Sequence, residues 1–262
     1  DADPTVRVAA LGLAERFEPA LRTEAASPLL SDPIRGVRIE AARILADVSD
    51  DLLPSALREA RNKASREYRE ALALNADWPQ ENVNEGNFLL RQGRIDAATA
   101  AYRRALELDP LLIGAYVNFA DLYRQQGRDD EGEKLLQKGL IRLSNAADLH
   151  HALGLLRVRQ GRTASALREL RAASTLAPEN PRYAYVYAVA LHSSGKFREA
   201  LAVLKKAEAK HPSDPDLLGA LVAMLREAGE DESALGYARK AAEALPDDEG
   251  MQRWVRELQG NK

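Results

Sequence analysis

The stretch Asn82–Pro110, NVNEGNFLLRQGRIDAATAAYRRALELDP, decides the fold, because its landmarks return along the chain at a fixed interval. Gly93 is followed by Gly127, Gly161, Gly195 and Gly229, each 34 residues after the last. Pro110, Pro178, Pro212 and Pro246 stand on the same grid, with Ser144 at the rung that lacks a proline. A third ladder consists of the small residues Ala105, Gly139, Ala173, Ala207 and Ala241. One helix-length segment separates each glycine from the next proline, and another separates that proline from the next glycine. A fixed period of this size marks an array in which every unit reads helix, turn, helix, turn.

The residue types have mechanical reasons. A glycine closing the first helix takes positive φ without a Cβ clash, so the second helix can return antiparallel. Small residues such as Ala98 and Ala105 let the two helices approach closely, while Tyr102, Leu136, Leu170 and Leu204 fill the space between neighbours. Proline then stops the second helix. A single pair cannot bury its apolar face alone, so stability comes from stacking.

On Gly86, Leu89, Gly93, Ala98, Tyr102, Ala105 and Pro110, and on their counterparts Leu153, Gly154, Gly161, Ala166, Leu170, Ala173 and Pro178, the chain resembles the tetratricopeptide repeat family. The resemblance covers about two-thirds of the chain and implies an all-α, right-handed helical-repeat solenoid. Five units are expected, at 79–112, 113–146, 147–180, 181–214 and 215–248. The closing residues, 249–262, fit one capping helix with Met251, Trp254, Val255 and Leu258 turned inward.

Upstream the pattern changes. DADPTVRVAALGLAERF and DPIRGVRIEAARILADV align with Val6-Arg7 over Val37-Arg38 and Leu13 over Ile44, which resembles the HEAT type of helical repeat over residues 1–52. Asp caps a helix N-terminus and Pro suits its first turn, so the physical reading agrees with the resemblance. Glu18 to Leu30 reads as the first helix of the second such pair. Asp1 enters the first pair halfway, so the chain is expected to be the C-terminal portion of a larger polypeptide. Residues 53–78 read as one long helix that splices the two sections, with Ala64, Tyr68 and Ala71 already in the 34-residue register.

Composition bounds the function. The 262 residues carry 37 basic against 40 acidic side chains, a formal charge of −3, so no global field favours nucleic acid or an anionic membrane. No apolar run is long enough for membrane insertion, and the absence of cysteine excludes disulfides, thiolate chemistry and covalent haem attachment within these residues. The glycines stand singly at turns, not in a phosphate-binding loop, and no carboxylate pair has the apolar flanks of a general acid. No catalytic residue, cofactor or metal site is assigned. His150 and His151 point about 100° apart on a helix and cannot share a metal; His151 facing His192 across units is the other conceivable pairing, against the simpler reading of histidines that meet solvent or a partner.

What remains is surface. The resemblance implies that the first helices of successive units line a concave groove that holds a protein or peptide segment. Carried over unit by unit, it presents Val83, Asn84, Asn87 and Arg91, then Asn118, Asp121 and Arg124, then His151 and Arg159, then Tyr185 and His192, and finally Gly219 and Ala223. Binding is expected to centre on the first three units. Asparagine amides donate and accept together, so Asn84, Asn87 and Asn118 can hold a peptide backbone; equally, they can stitch adjacent units. The two-carboxylate clamp of chaperone-binding members is broken, since Val83 stands where a lysine is expected and Asp148 and Ala152 replace other basic residues.

The expected function is therefore a non-catalytic protein-interaction scaffold. Two alternatives accompany it: an accessory module of a larger envelope redox protein, or an accessory domain of a transferase. The first rests on a resemblance of the HEAT-like and repeat segments to the C-terminal part of bacterial multihaem c-type cytochrome proteins. A parent of that kind would carry an upstream haem domain and be exported, which favours the periplasm or cell envelope over the cytoplasm.

Overall fold

A computed structural model describes residues 1–260. Among the described residues there are fifteen α-helices and two short 3-10 turns, with no strand, so the chain is all-α and built of helical repeats. Residues 261 and 262, the end of the expected capping helix, lie outside the described residues. No described helix is long and apolar enough to cross a membrane. The chain divides into two compact units, Asp1–Arg128 and Asp129–Lys262.

The first unit contains α1 (Pro4–Ala14), α2 (Pro19–Ala26), α3 (Arg35–Ile44), α4 (Ser55–Ala73), α5 (Pro79–Arg91), α6 (Ile95–Leu108) and α7 (Ile113–Gln125). The expected helix from Glu18 to Leu30 is shorter: α2 tightens into a 3-10 turn over Ser27–Ser31. Pro28 is the reason, since it has no N–H to donate and its ring crowds the carbonyl four residues back. α1 and α3 open 31 residues apart, at Pro4 and Arg35, in the register of the Val-Arg alignment. The two arginines of that alignment act as staples. Arg7 Nε lies 2.9 Å from Asp32 Oδ2, and Arg38 donates to the Asp32 carbonyl at 2.8 Å and to Glu67 of α4 at 2.9 Å. Leu11, Leu30, Val37, Ile44, Leu45 and Leu53 form the core here.

The second unit contains α8 (Asp129–Arg142), α9 (Ala147–Arg159), α10 (Thr163–Leu176), α11 (Pro181–Ser193), α12 (Phe197–Glu208), α13 (Pro215–Glu227), α14 (Asp231–Ala244) and α15 (Glu249–Gly260). One core runs through successive pairs, from Leu170 through Leu191, Leu204, Leu221 and Leu225 to Leu258 of α15. Each pair is therefore stabilised by the next, as stacking requires.

The turn glycines do what their spacing foretells. Gly161 has φ 71°, and the other four lie between 69° and 78°. The same two bonds close each first helix: Arg162 N–H donates to the Arg157 carbonyl at 2.9 Å and Gly161 N–H to the Val158 carbonyl at 3.0 Å. A second set of glycines serves a different purpose. A Cβ built on Gly86 would lie 2.6 Å from Tyr102 Cε1, and one on Gly154 would lie 2.7 Å from Leu170 Cγ. Here the helices of a pair meet too closely for any side chain.

Candidate partner-binding face

In the first unit, α5 and α7 lie side by side, which brings Asn87 and Asn118 together. Asn87 Oδ1 accepts from the buried Tyr102 hydroxyl at 2.7 Å and from Asn118 Nδ2 at 3.1 Å. The stitching role left open by the sequence is thus occupied by one half of each amide. Among the described residues, the other halves, Asn87 Nδ2 and Asn118 Oδ1, make no hydrogen bond. Asn84 stays on its own helix: Nδ2 donates to Glu81 at 3.1 Å and Oδ1 accepts from Gln80 at 3.3 Å. Asn84 and Asn87 line a small cleft of about 90 Å³ with Arg43, Tyr68, Phe88 and Arg91. The edge-to-face contact of Tyr68 with Phe88, centroids 4.8 Å apart, forms its aromatic wall. Val83, expected to face the groove, is instead core, at 1% exposure.

Arg91 is the hinge of a charge network inside this unit. Its guanidinium donates to Glu15 at 2.8 Å, to Asp47 at 2.9 Å and to the Ile44 carbonyl at 3.0 Å. Glu15 also receives a fork of bonds from Arg43, at 3.0 and 2.7 Å. Those Arg43 bonds, outweighing burial and aided by Arg91, hold the Glu15 carboxyl below its ordinary range. At Asp47 burial opposes ionisation, but the Arg91 bond and the Arg22 charge prevail and lower it too. Arg91 therefore braces α5 against the preceding helices. Asp121 and Arg124 pair with each other at 2.5 Å, and Gln125 donates to Asp121 at 2.9 Å. A larger polar cavity of about 450 Å³ lies at the joint of α3, α4 and α5, lined by Asp47, Ser49, Asp50, Arg61, Asn62 and Arg91. No sequence signal marks it, because its walls come from segments with no common repeat.

In the second unit, His151 packs its ring 4.7 Å from that of Tyr183, whose hydroxyl donates to Asp148 Oδ1 at 2.6 Å. Burial, together with the Asp148 bond, pushes the Tyr183 phenol up to about 12. His192 is engaged elsewhere, 2.9 Å from Glu227 and beside Phe197, so each histidine has its own neighbours. Arg159 donates to Asp129 at 2.9 Å. Tyr185 packs against the core, partly buried. Gly219 is covered by Trp254 of α15, 3.4 Å from where its Cβ would be, so the last pair closes the face instead of extending it.

His151 yields a pH prediction. Its Nδ1 is buried with no hydrogen-bond partner among the described residues. Burial, helped by the Arg182 charge and opposed by Asp148, lowers its pKa from the ordinary 6.5. As pH falls through 6.5 the unfolded chain takes up this proton first, so the folded state loses stability below that point and keeps it above. Urea midpoints of the wild type should fall between about pH 7.5 and about pH 5.5, and His151→Leu should flatten that fall. An equal fall in both proteins would refute the assignment.

A family model described as Tetratricopeptide repeat matches residues 151–215, and a second of the same description matches 89–156 and 191–256, more than half of the chain by itself. A curated TPR repeat-containing protein of Pseudomonas aeruginosa is 33% identical over 107 residues, 41% of this chain and 42% of its own length. The chain thus spans less than half of that relative. Among solved structures, yeast Tom70 superposes on 99% of this chain and 55% of its own with a TM-score of 0.65 at 18% identity. YrrB, described as a TPR protein with an unusual peptide-binding site, covers 71% of this chain and 95% of its own at TM-score 0.50 and 23% identity. At such identities these structures establish a shared fold and nothing further.

Proposed function

The chain belongs to the tetratricopeptide repeat family, and from that premise we propose that it is a non-catalytic scaffold that holds an extended protein segment by its backbone against the α5–α7 face. The observation that carries this reading is the division of labour at Asn87 and Asn118. One half of each amide is fixed by Tyr102 and by the partner asparagine, which leaves a donor on Asn87 and an acceptor on Asn118. A peptide unit offers the complementary acceptor and donor, so a backbone could be gripped whatever its side chains. The aromatic wall of Tyr68 and Phe88 beside Asn87 would shelter such bonds from water. The peptide-binding description of YrrB is consistent with this reading.

Of the residues expected in the groove, Asn84, Asn87, Asn118, Asp121 and Arg124 fall in this unit and form the proposed face, while Arg91 shapes it from below. His151, Arg159, Tyr185 and His192 belong to the second unit, where they would form a separate face. The common register of α1 and α3 supports reading residues 1–52 as HEAT-like helices that buttress α5 through Arg91.

The test starts from partners crosslinked to the purified chain and titrates the one recovered against variants. Asn118→Ala should weaken binding about tenfold, the worth of one or two net hydrogen bonds. Asn87→Ala should weaken it further, and Tyr102→Phe, which removes one of the two bonds to Asn87 Oδ1 and leaves the amide in place, should cost less. Undiminished affinity in the Asn87→Ala/Asn118→Ala double variant would defeat the proposal.

A further inference from the structure

The near-neutral charge of the whole chain conceals a row of exposed basic side chains on the second unit. In α10 the buried positions Ala166, Leu170 and Ala173 turn the opposite face, with Arg168 and Arg171, to solvent. Arg171 has counterparts one repeat on at Lys205 of α12 and two repeats on at Arg239 of α14. A parallel rung, one position further along, holds Lys138 of α8, Lys206 and Lys240. All six are exposed. Lys240 is tied to the buried Glu208 at 2.7 Å, but the other five make no ion pair among the described residues. Two aliphatic side chains of the same helices are exposed, Ile141 of α8 at 83% and Leu176 of α10 at 39%.

A second band limits what can bind. The first turns of α8 and α14 carry Asp129, Asp130, Glu131, Asp231 and Glu232. They lie seven to nine residues before the basic rungs, about 10–14 Å along a helix and more than one screening length at physiological salt, so a narrow ligand on the rungs is largely screened from them. A broad anionic surface, such as a bilayer or a DNA duplex, would overlap the acidic band and be repelled. A narrow anionic chain running across the helices would not.

We propose that this basic ladder on the outer side of α8, α10, α12 and α14 is a second docking surface, and that its occupant is an acidic protein segment in which carboxylates alternate with aliphatic residues. The carboxylates meet the rungs, and the aliphatic side chains cover Ile141 and Leu176. The ladder belongs to the second unit and the amide face of α5 and α7 to the first, so each can be altered by its own substitutions.

The probe is a fluorescent peptide of about twenty residues rich in glutamate with interspersed leucines, followed by anisotropy on the full chain at low and high salt. The wild type should bind it, more weakly as salt rises. Charge reversal at Arg171→Glu/Lys205→Glu/Arg239→Glu should reduce affinity at least about tenfold, as three exposed attractions become repulsions. The variant's circular dichroism and melting should match the wild type, because all three positions are exposed. Asn118→Ala should leave the salt-dependent component of the peptide's binding in place. The proposal is overturned if the peptide does not bind, if charge reversal leaves binding intact, if Asn118→Ala abolishes it, or if anionic phosphatidylglycerol vesicles or duplex DNA bind more tightly than the peptide.

Discussion

Ile44→Ala should destabilise the first unit by about 2–5 kcal/mol, whereas Leu13→Ala, one repeat earlier in the same register, should change its stability by less than about 0.5 kcal/mol. The two residues are matched by alignment and differ in environment: Ile44 is 0% exposed and Leu13 is 66% exposed. Ile44 sits among Val37, Ala41 and Leu45 in a core closed by Leu30 and Ala64, so truncation leaves a cavity as well as losing apolar burial. Leu13 has no such surroundings to lose. Val6 and Val37 repeat the contrast, one exposed and the other buried. The measurement is urea unfolding followed by Trp78 fluorescence in a Trp254→Phe background, which confines the signal to this unit. Equal costs at the two positions would mean that the outer stripe of α1 is covered in the protein as it exists.

Gly154→Ala should cost about 1–3 kcal/mol through overpacking, although alanine is the better helix former. The added Cβ would lie 2.7 Å from Leu170 Cδ2 and Cγ and 3.2 Å from the Leu170 backbone nitrogen. The side chain can rotate away only into a packed core, and the backbone cannot move without shifting α10. Leu170→Ala alone should cost about 2–5 kcal/mol, but less in the Gly154→Ala background, so a double-mutant cycle should return a clear coupling. Gly161 separates the two kinds of glycine. Nothing lies within 4 Å of its Cβ position, so its constraint is the φ of 71° alone. Gly161→Val should cost more than about 1 kcal/mol, and Gly161→Asn should recover most of that, since asparagine tolerates the left-handed region. Gly154→Asn should recover nothing. Similar behaviour at both sites would refute the distinction between a turn requirement and a close-approach requirement.

The repeat was legible because its physics is local. A left-handed turn residue, a helix-stopping proline and small residues at the crossing each act within one unit, so the chain must restate them in every unit, and a periodicity results. The helix pairs at Asn82–Pro110 and beyond follow from that alone. The break of the expected Glu18–Leu30 helix at Ser27 also has a local cause, Pro28, although the apolar periodicity runs on through it.

The proposed face shows in the sequence as residue types and not as an arrangement. Asn87 and Asn118 show their amides in the sequence, but that Tyr102 and each other occupy half of those amides depends on α5 and α7 lying side by side. Arg91 occupies a first-helix position and lines the cleft beside Asn87, while Glu15 and Asp47, 76 and 44 residues away, take up its guanidinium. Val83 and Gly219 were assigned by register to a surface that packing withdraws, in one case into the core and in the other beneath Trp254. The sequence by itself determined the helices, their turns and the repeat, since each depends on residues within a few positions of one another. Only the tertiary structure decided which polar groups remain unsatisfied and which charges stand without partners, because a hydrogen bond or an ion pair is a property of two groups, and the second group here lies on another helix.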